Sequence, residues 1–245
     1  MNTPFNFLVL GDVVHHTGTA GVGVNGGYNI LIAYNTLYKA GTNDHAIEVV
    51  QGGRGSDGNT TACLSNNAAG GWGTAGVGGQ YIPSRNVFIY NNVIYNPPGF
   101  GSRWQHFNIA GPVTPESGSN VPNPARADTN LRIMGNAIWN DPAGLPLGFD
   151  STVALSETQI RADNAVNRFQ PQLVDPEHGN YRPVAGGNLF GVTTYVIPPF
   201  PSDDRASPPL APLGDLNNQV AADFSGVVRH RTSPPGAFTL ASTQR

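Results

Sequence analysis

Charge is scarce in this chain of 245 residues: Asp, Glu, Lys and Arg together make up 12%. That excludes a protein built on long surface helices of Glu, Lys and Arg. Cysteine is nearly absent, and the single Cys63 rules out both an intrachain disulfide framework and a multi-cysteine zinc site. It falls in a polar stretch and reads as an incidental thiol. The 13 basic and 16 acidic residues give a formal charge of −3 with no basic cluster, so the electrostatic footprint for nonspecific nucleic-acid or anionic-membrane binding is missing. No run approaches the ~18 apolar residues of a membrane-spanning helix. The opening residues, Met1 to Gly11, have no basic segment followed by a long apolar one, so they do not read as a signal peptide. What is abundant is glycine, 31 residues, and proline, 21, about a fifth of the chain between them. This balance points to an all-β protein rich in turns.

Four segments align without gaps: Asn6 to Gly18 (NFLVLGDVVHHTG), Asn29 to Gly41 (NILIAYNTLYKAG), Asn86 to Pro98 (NVFIYNNVIYNPP) and Asn130 to Pro142 (NLRIMGNAIWNDP). Each begins with Asn, alternates apolar residues at period two, carries Asp or Asn at its seventh position and continues into a second short apolar strand. The seventh-position residues, Asp12, Asn35, Asn92 and Asn136, are separated by 23, 57 and 44 residues. A solenoid coil of about 22 to 24 residues leaves surpluses of about 33 and 20. Two loops supply them, Gly52 to Ser84, rich in Gly, Asn, Ser and Thr, and Gly111 to Asp128, rich in Pro and Ser. A third strand is expected in each repeat, at Gly21 to Val24, His45 to Val50, Gln105 to Ile109 and Leu145 to Asp150. Three short strands per coil, each paired with its equivalent in the next, build three parallel sheets around one apolar core.

These repeats resemble those of the pectate-lyase-like right-handed parallel β-helix proteins, in which a tight turn stacks Asn side chains into a ladder. The resemblance implies that Asp12, Asn35, Asn92 and Asn136 are ladder residues with a structural role. Asn suits it because it tolerates left-handed turn geometry and its amide can satisfy backbone groups of a neighbouring coil. Residues 172–188 (QLVDPEHGNYRPVAGGN) are similar to the exit segment of such proteins, and residues 223–238 (DFSGVVRHRTSPPGAF) to their closing phrase. Such endings are expected to cover the open sheet edges of the last coil. The expected organisation is one domain, with coils over residues 1–170, insertions at 52–84 and 111–128, and a capping and wrapping segment over 171–245. Ile197 to Pro212 reads as an extended wrap along the side. The chain opens on a strand, Phe5 to Leu10, without a cap, so the natural N-terminus, with any signal peptide, is expected upstream. A bare first coil is also a site for self-association.

Several chemical motifs fail on context. Gly21 to Gly26 (GVGVNG) satisfies the dinucleotide pattern, yet no helix follows it. Gly52 to Gly58 lacks the Lys-Ser/Thr ending of a phosphate loop, and Asn59-Thr60-Thr61 is a formal glycosylation sequon. His15 and His16 are adjacent, and on a continuing strand they would point to opposite faces, which argues against a shared ion. No acidic run has the spacing of a calcium cage. No metal and no cofactor are therefore expected.

In the resembled enzymes the outward face of the third-strand sheet lines a saccharide groove. Alternation places Val22, Val24, Ile47, Val49, Phe107, Ile109, Leu147 and Phe149 inward, and Glu48, His106, Asn108 and Asp150 outward. Around them lie Lys39, Asp44, His45, Arg54 and Arg103, with Trp104, Phe100 and Trp72 available to stack on sugar rings. A lyase eliminating across a uronate needs a cation on the carboxylate and a base for the α-proton. Arg54 or Arg103 is the candidate cation and His106 or Lys39 the candidate base, with Glu48 a further catalytic candidate; Asp44, His45, Asn108, Trp104 and Asp150 are candidate substrate contacts. Glycoside hydrolysis fits less well, because Glu48 and Asp150, two coils apart and offset by two positions, would stand ~12 Å apart against the ~6.5–9.5 Å of an inverting pair, which leaves Asp44 with Glu48 as the open pair, Asp44 lying in a turn.

The resemblance thus implies a carbohydrate-active β-helix, secreted or at the cell surface, for which β-elimination on an acidic polysaccharide is the first expectation. A non-catalytic, adhesin-like glycan-binding or structural β-helix is the alternative, as is a fragment of a larger β-helix protein. The discriminating geometry is whether Arg54 or Arg103 converges with His106 or Lys39 on one cleft.

Overall fold

The structure, a computed structural model, describes residues 5–52, 61, 81–115, 121–141, 144–201 and 214–240. The chain winds as a parallel β-helix. The first coil carries β1 (Phe5–Leu10), β2 (Val13–His15) and β3 (Val22–Asn25), and the second β4 (Gly27–Ala33), β5 (Thr36–Tyr38) and β6 (Ile47–Val50). The third has β7 (Ser84–Tyr90), β8 (Val93–Asn96) and β9 (Phe107–Ile109), and the fourth β10 (Arg132–Met134) and β11 (Ala137–Asn140). Equivalent strands stack in parallel: β1-β4-β7-β10 form the first sheet, β2-β5-β8-β11 the second, joined at its far end by β12 (Ala165–Val166), and β3-β6-β9 the third. The strand expected over 145–150 shrinks to one parallel bridge, Ile109 to Phe149. Pro146 lacks an amide hydrogen, and Gly148 takes a left-handed φ of 87° with Phe107 O where a Cβ would stand, so this segment cannot run on as a regular strand.

The inward residues form one core. Val24, Ile47, Val49, Phe107, Ile109 and Leu147 are buried in it, with Val22 and Phe149 packed against it, as the alternation predicted. Three columns of asparagine run beside it along the axis. In the first, Asn92 Oδ1 accepts from the backbone N and Nδ2 of Asn35, and Asn136 Oδ1 accepts the same pair from Asn92. Asn136 hands the pattern on to Asn164, which extends the ladder one coil past its expected end. The left-handed residue of the turn is the one before each rung: Gly11, Tyr34, Asn91 and Gly135 have φ of 67°, 55°, 56° and 72°. The ladder asparagines therefore supply hydrogen bonds, and their neighbours supply the turn geometry. Asp12 is tolerated at the first rung because it contributes only its backbone N, to Asn35 Oδ1.

A second column, Asn6, Asn29, Asn86 and Asn130, links Nδ2 to Oδ1 from coil to coil, and all four residues are left-handed, with φ of 51° to 59°. It bends the first strand of each coil, and its sign in the sequence is the Asn that opens every repeat. A third, shorter column joins Asn96 to Asn140 and Asn140 to Asn167.

The insertions enter where the third sheet hands over to the next coil. Each is pinched at its base by a two-bond antiparallel bridge, Gly52 with Ile82 and Val113 with Ala125. Gln51 Nε2 donates to Gly111 O and Ala125 O and so ties the coil to the second insertion.

The last coil is closed by helix α1 (Glu157–Asp163), capped at Ser156, whose Ile160 enters the core. The closing segment does something other than cover that edge. After the hairpin β13 (Leu173–Asp175) and β14 (Asn180–Pro183), it runs back along the flank. Ile197, Leu216 and Val220, with Tyr195 and Phe200, pack on Leu31, Ala33, Phe88 and Tyr90 of the first sheet's outer face. Leu189, Phe169, Leu173 and Val192 do the same on Val93, Ala137 and Tyr95 of the second. The physical reason is that the first sheet is apolar on both faces, and its outer face needs burying as much as its inner one.

Paired amide bonds pin this wrap. Asn91 exchanges two bonds with the backbone of Tyr195, and Asn217 two with that of Ile197. In the closing phrase Asp223 gathers the amides of Ser225, Val227 and Thr239. Arg229 donates to the carbonyls of Gly236 and Ala237 and lies 4.2 Å over the Tyr34 ring. Gly236, at φ 99°, brings the chain against the middle coils, its N donating to Asn91 O. A Cβ there would meet Thr36 Oγ1 and Val93 Cγ2 at 2.9 Å. Gly236→Ala is expected to destabilise the protein by about 2 kcal/mol, seen as a lower urea midpoint; an unchanged midpoint would mean the phrase is not seated on Thr36 and Val93.

Candidate functional site

With the wrap on the first two sheets, the third sheet presents the outer face that, among the described residues, the closing segment leaves open. Its outward row is Gly23, Glu48 and Asn108, set by the β3–β6–β9 register, with Asp150 one coil on and offset by two positions. Asn108 Nδ2 donates to Glu48 Oε2 at 2.9 Å and fixes that carboxylate. Asp150 is exposed, and the Thr152 hydroxyl and backbone N–H bonded to it hold its carboxyl below the usual carboxylate range. A cleft of about 790 Å³ opens beside this row, lined among others by Gln105, Asn108, Gly111, Phe149, Asp150 and Glu157.

The upstream end of the face is the turn before β6. Gly41, at φ 74°, reverses the chain, and backbone bonds from Thr42 to Thr17, from Asn43 to Gly18 and from Arg103 to Asp44 hold the turn between its neighbouring coils. This brings Asp44 Oδ1 to 3.0 Å from His45 Nε2 and places donor atoms of Asp44, His45 and Glu48 within 4.8 Å of one another. Trp104, 51% exposed, packs against the His45 ring at 5.2 Å, and the Arg103 guanidinium lies 5.4 Å from the Trp104 ring.

Of the expected lyase set, the structure gathers Arg103, Glu48, Asp44, His45, Asn108 and Trp104 and sends two members elsewhere. His106 does not face outward. It sits at the corner before β9, where Pro146 O accepts its amide and its carbonyl is taken by Ala46 and Ile47, so the ring turns into the interior towards Asn167. Burial, and then the Arg161 charge, lowers its pKa to about 4. A neutral ring that weakly basic and that enclosed is a poor proton acceptor for a bound substrate. Lys39 is also buried. It pairs with Glu177 at 2.7 Å and lies 3.8 Å over the Phe100 ring, on the second-sheet side. That pairing, with the Tyr38 hydroxyl also donating to Glu177, holds the Glu177 carboxyl below its ordinary range and seats the β13–β14 turn. Arg54 and Trp72, like Cys63 and the Asn59 sequon, lie outside the described residues.

As expected, no helix follows GVGVNG, which is the edge strand β3 followed by β4. One other reading changes. His15 and His16 do not face apart, because the strand ends at His15 and His16 is left-handed at φ 53°; their Nδ1 atoms stand 3.1 Å from each other. Among the described residues no helix is long and apolar enough to cross a membrane.

Fold and face together define a parallel β-helix with, among the described residues, one polar side on which the closing segment does not pack. No family model, no curated protein and no solved structure matches the chain.

Proposed function

We propose that the protein is a carbohydrate-binding β-helix that takes an extended polysaccharide along the outward face of its third sheet, as a secreted or cell-surface protein would. One observation carries this reading: among the described residues, the closing segment packs on the outer faces of the first two sheets and not on the third, whose outward polar row is Glu48, Asn108 and Asp150. Strand spacing of ~4.8 Å makes that row a ladder of hydrogen-bonding groups at near-saccharide repeat. Trp104 offers an exposed ring beside it, and the adjacent cleft has the size of a ligand site.

Elimination is the second reading, favoured by Arg103 and Glu48 falling in the same group of side chains. It has lost His106 and Lys39 as bases, which is why recognition stands first. Affinity electrophoresis through gels cast with acidic and neutral polysaccharides separates the outcomes. At least one glycan is expected to retard the protein, with affinity about tenfold lower, ~1.4 kcal/mol, in Trp104→Ala. Unretarded migration in every gel would sink the proposal. Release of unsaturated uronate during incubation would move the protein to the elimination reading.

A further inference from the structure

We propose that Asp44, His45 and Glu48 form a binding site for one divalent transition-metal cation of the zinc or manganese class. The donors are one imidazole and two carboxylates, a mixture that suits Zn²⁺ or Mn²⁺ better than an all-oxygen calcium cage or a thiolate site. Their donor atoms already lie within 4.8 Å of one another. An ion ~2.1 Å from each ligand holds them at most ~4.2 Å apart, so coordination asks for a closure of a few tenths of an ångström.

Three features show that the group is built rather than incidental. His45 is 94% removed from solvent, and the ring nitrogen it turns to the carboxylates is Nε2, 3.0 Å from Asp44 Oδ1. An ion bound at Nε2 replaces that hydrogen bond and leaves the ring proton on Nδ1, the nitrogen with no protein partner. Glu48 is pre-set by Asn108 from the next coil, and the Asp44 carbonyl accepts from Arg103 N, so neither carboxylate has to be recruited from a loose surface. Trp104 covers the imidazole on its outer side.

A cation there offsets two carboxylates held close together beside a buried imidazole. The ion would bring a fixed positive charge to the upstream end of the open third-sheet face. The site stands whether or not that face binds a glycan.

The test uses the full chain without an affinity tag and titrates Zn²⁺ and Mn²⁺ separately by calorimetry, with Co²⁺ absorption reporting on nitrogen ligation. One equivalent of Zn²⁺ or Mn²⁺ is expected to bind at micromolar concentration and to raise the melting temperature. Glu48→Gln and Asp44→Asn, both nearly isosteric and on partly exposed side chains, are expected to weaken binding at least ~tenfold while leaving the circular dichroism unchanged. Failure of the folded protein to bind either ion at millimolar concentration would overturn the site. So would binding undiminished in the D44N/E48Q double variant, which would put the ion elsewhere, for instance at His15 and His16.

Discussion

Asn92→Ala is expected to lower the stability of the protein by about 3 to 5 kcal/mol, while Asp12→Ala, at the same position of the repeat, changes it by no more than about 0.5 kcal/mol. Asn92 is fully buried. Its Oδ1 takes two protons from Asn35, and its Nδ2 serves both Ile32 O and Asn136 Oδ1. Alanine strands the Asn35 backbone amide, leaves Asn35 Nδ2 with Val9 O alone, and takes a donor from the Ile32 carbonyl. Each buried group left without a partner costs about 1–3 kcal/mol. Asp12 has an exposed side chain and enters the ladder only through its backbone N, which alanine retains. Urea unfolding of the two variants measures the contrast, and similar losses at both positions would mean that the ladder does not carry the stability assigned to it.

His106→Gln is expected to remove an acid sensitivity worth about 3 kcal/mol. The folded-state pKa of His106 is pushed down to about 4, first by burial and then by Arg161, whereas an unfolded histidine titrates near ~6.5. Between those values the unfolded chain binds a proton that the folded chain refuses. The contribution is therefore fully present above about pH 6.5, declines as pH falls, and is gone by about pH 4. About 2.5 units at 1.36 kcal/mol each give the ~3 kcal/mol. The carboxyl groups of Asp128 and Asp223, also held below their ordinary range, lose their contributions at lower pH. Unfolding midpoints at pH 7 and pH 4.5 should converge in the variant and stay apart in the wild type. Equal pH slopes in the two proteins would contradict a neutral, buried His106.

The coil architecture was legible because its signals are local and repeated. The opening Asn, the seventh-position Asn and the paired apolar strands recur at solenoid spacing, and they place the core-facing residues of the third sheet correctly. Less legible was anything decided by contact between distant segments. The runs Ile30 to Ala33 and Val87 to Tyr90 are apolar at every position, and reading them as period two hid the fact that both faces of the first sheet are buried. A wrap along the side was expected from Ile197 on, but not that it would seat on the outer face of the first sheet. His106 has the parity of an outward residue, yet it stands one step before the regular strand begins, where alternation no longer fixes direction. Lys39 looked free because its partner, Glu177, lies 138 residues away. The meeting of Asp44, His45 and Glu48 depends on the left-handed Gly41 and on backbone bonds from two other coils, none of which spacing reveals.

The bridges Gly52–Ile82 and Val113–Ala125 make the insertions into sockets. Because each bridge closes through its own two backbone bonds, the chain re-enters the next coil from a fixed point. Lengthening such a loop costs only about 0.6 kcal/mol per doubling in closure entropy. Foreign sequence could therefore be exchanged between these fixed ends, on the border of the open face, with the asparagine columns undisturbed. A solenoid of this kind can change its loops without renegotiating how it folds.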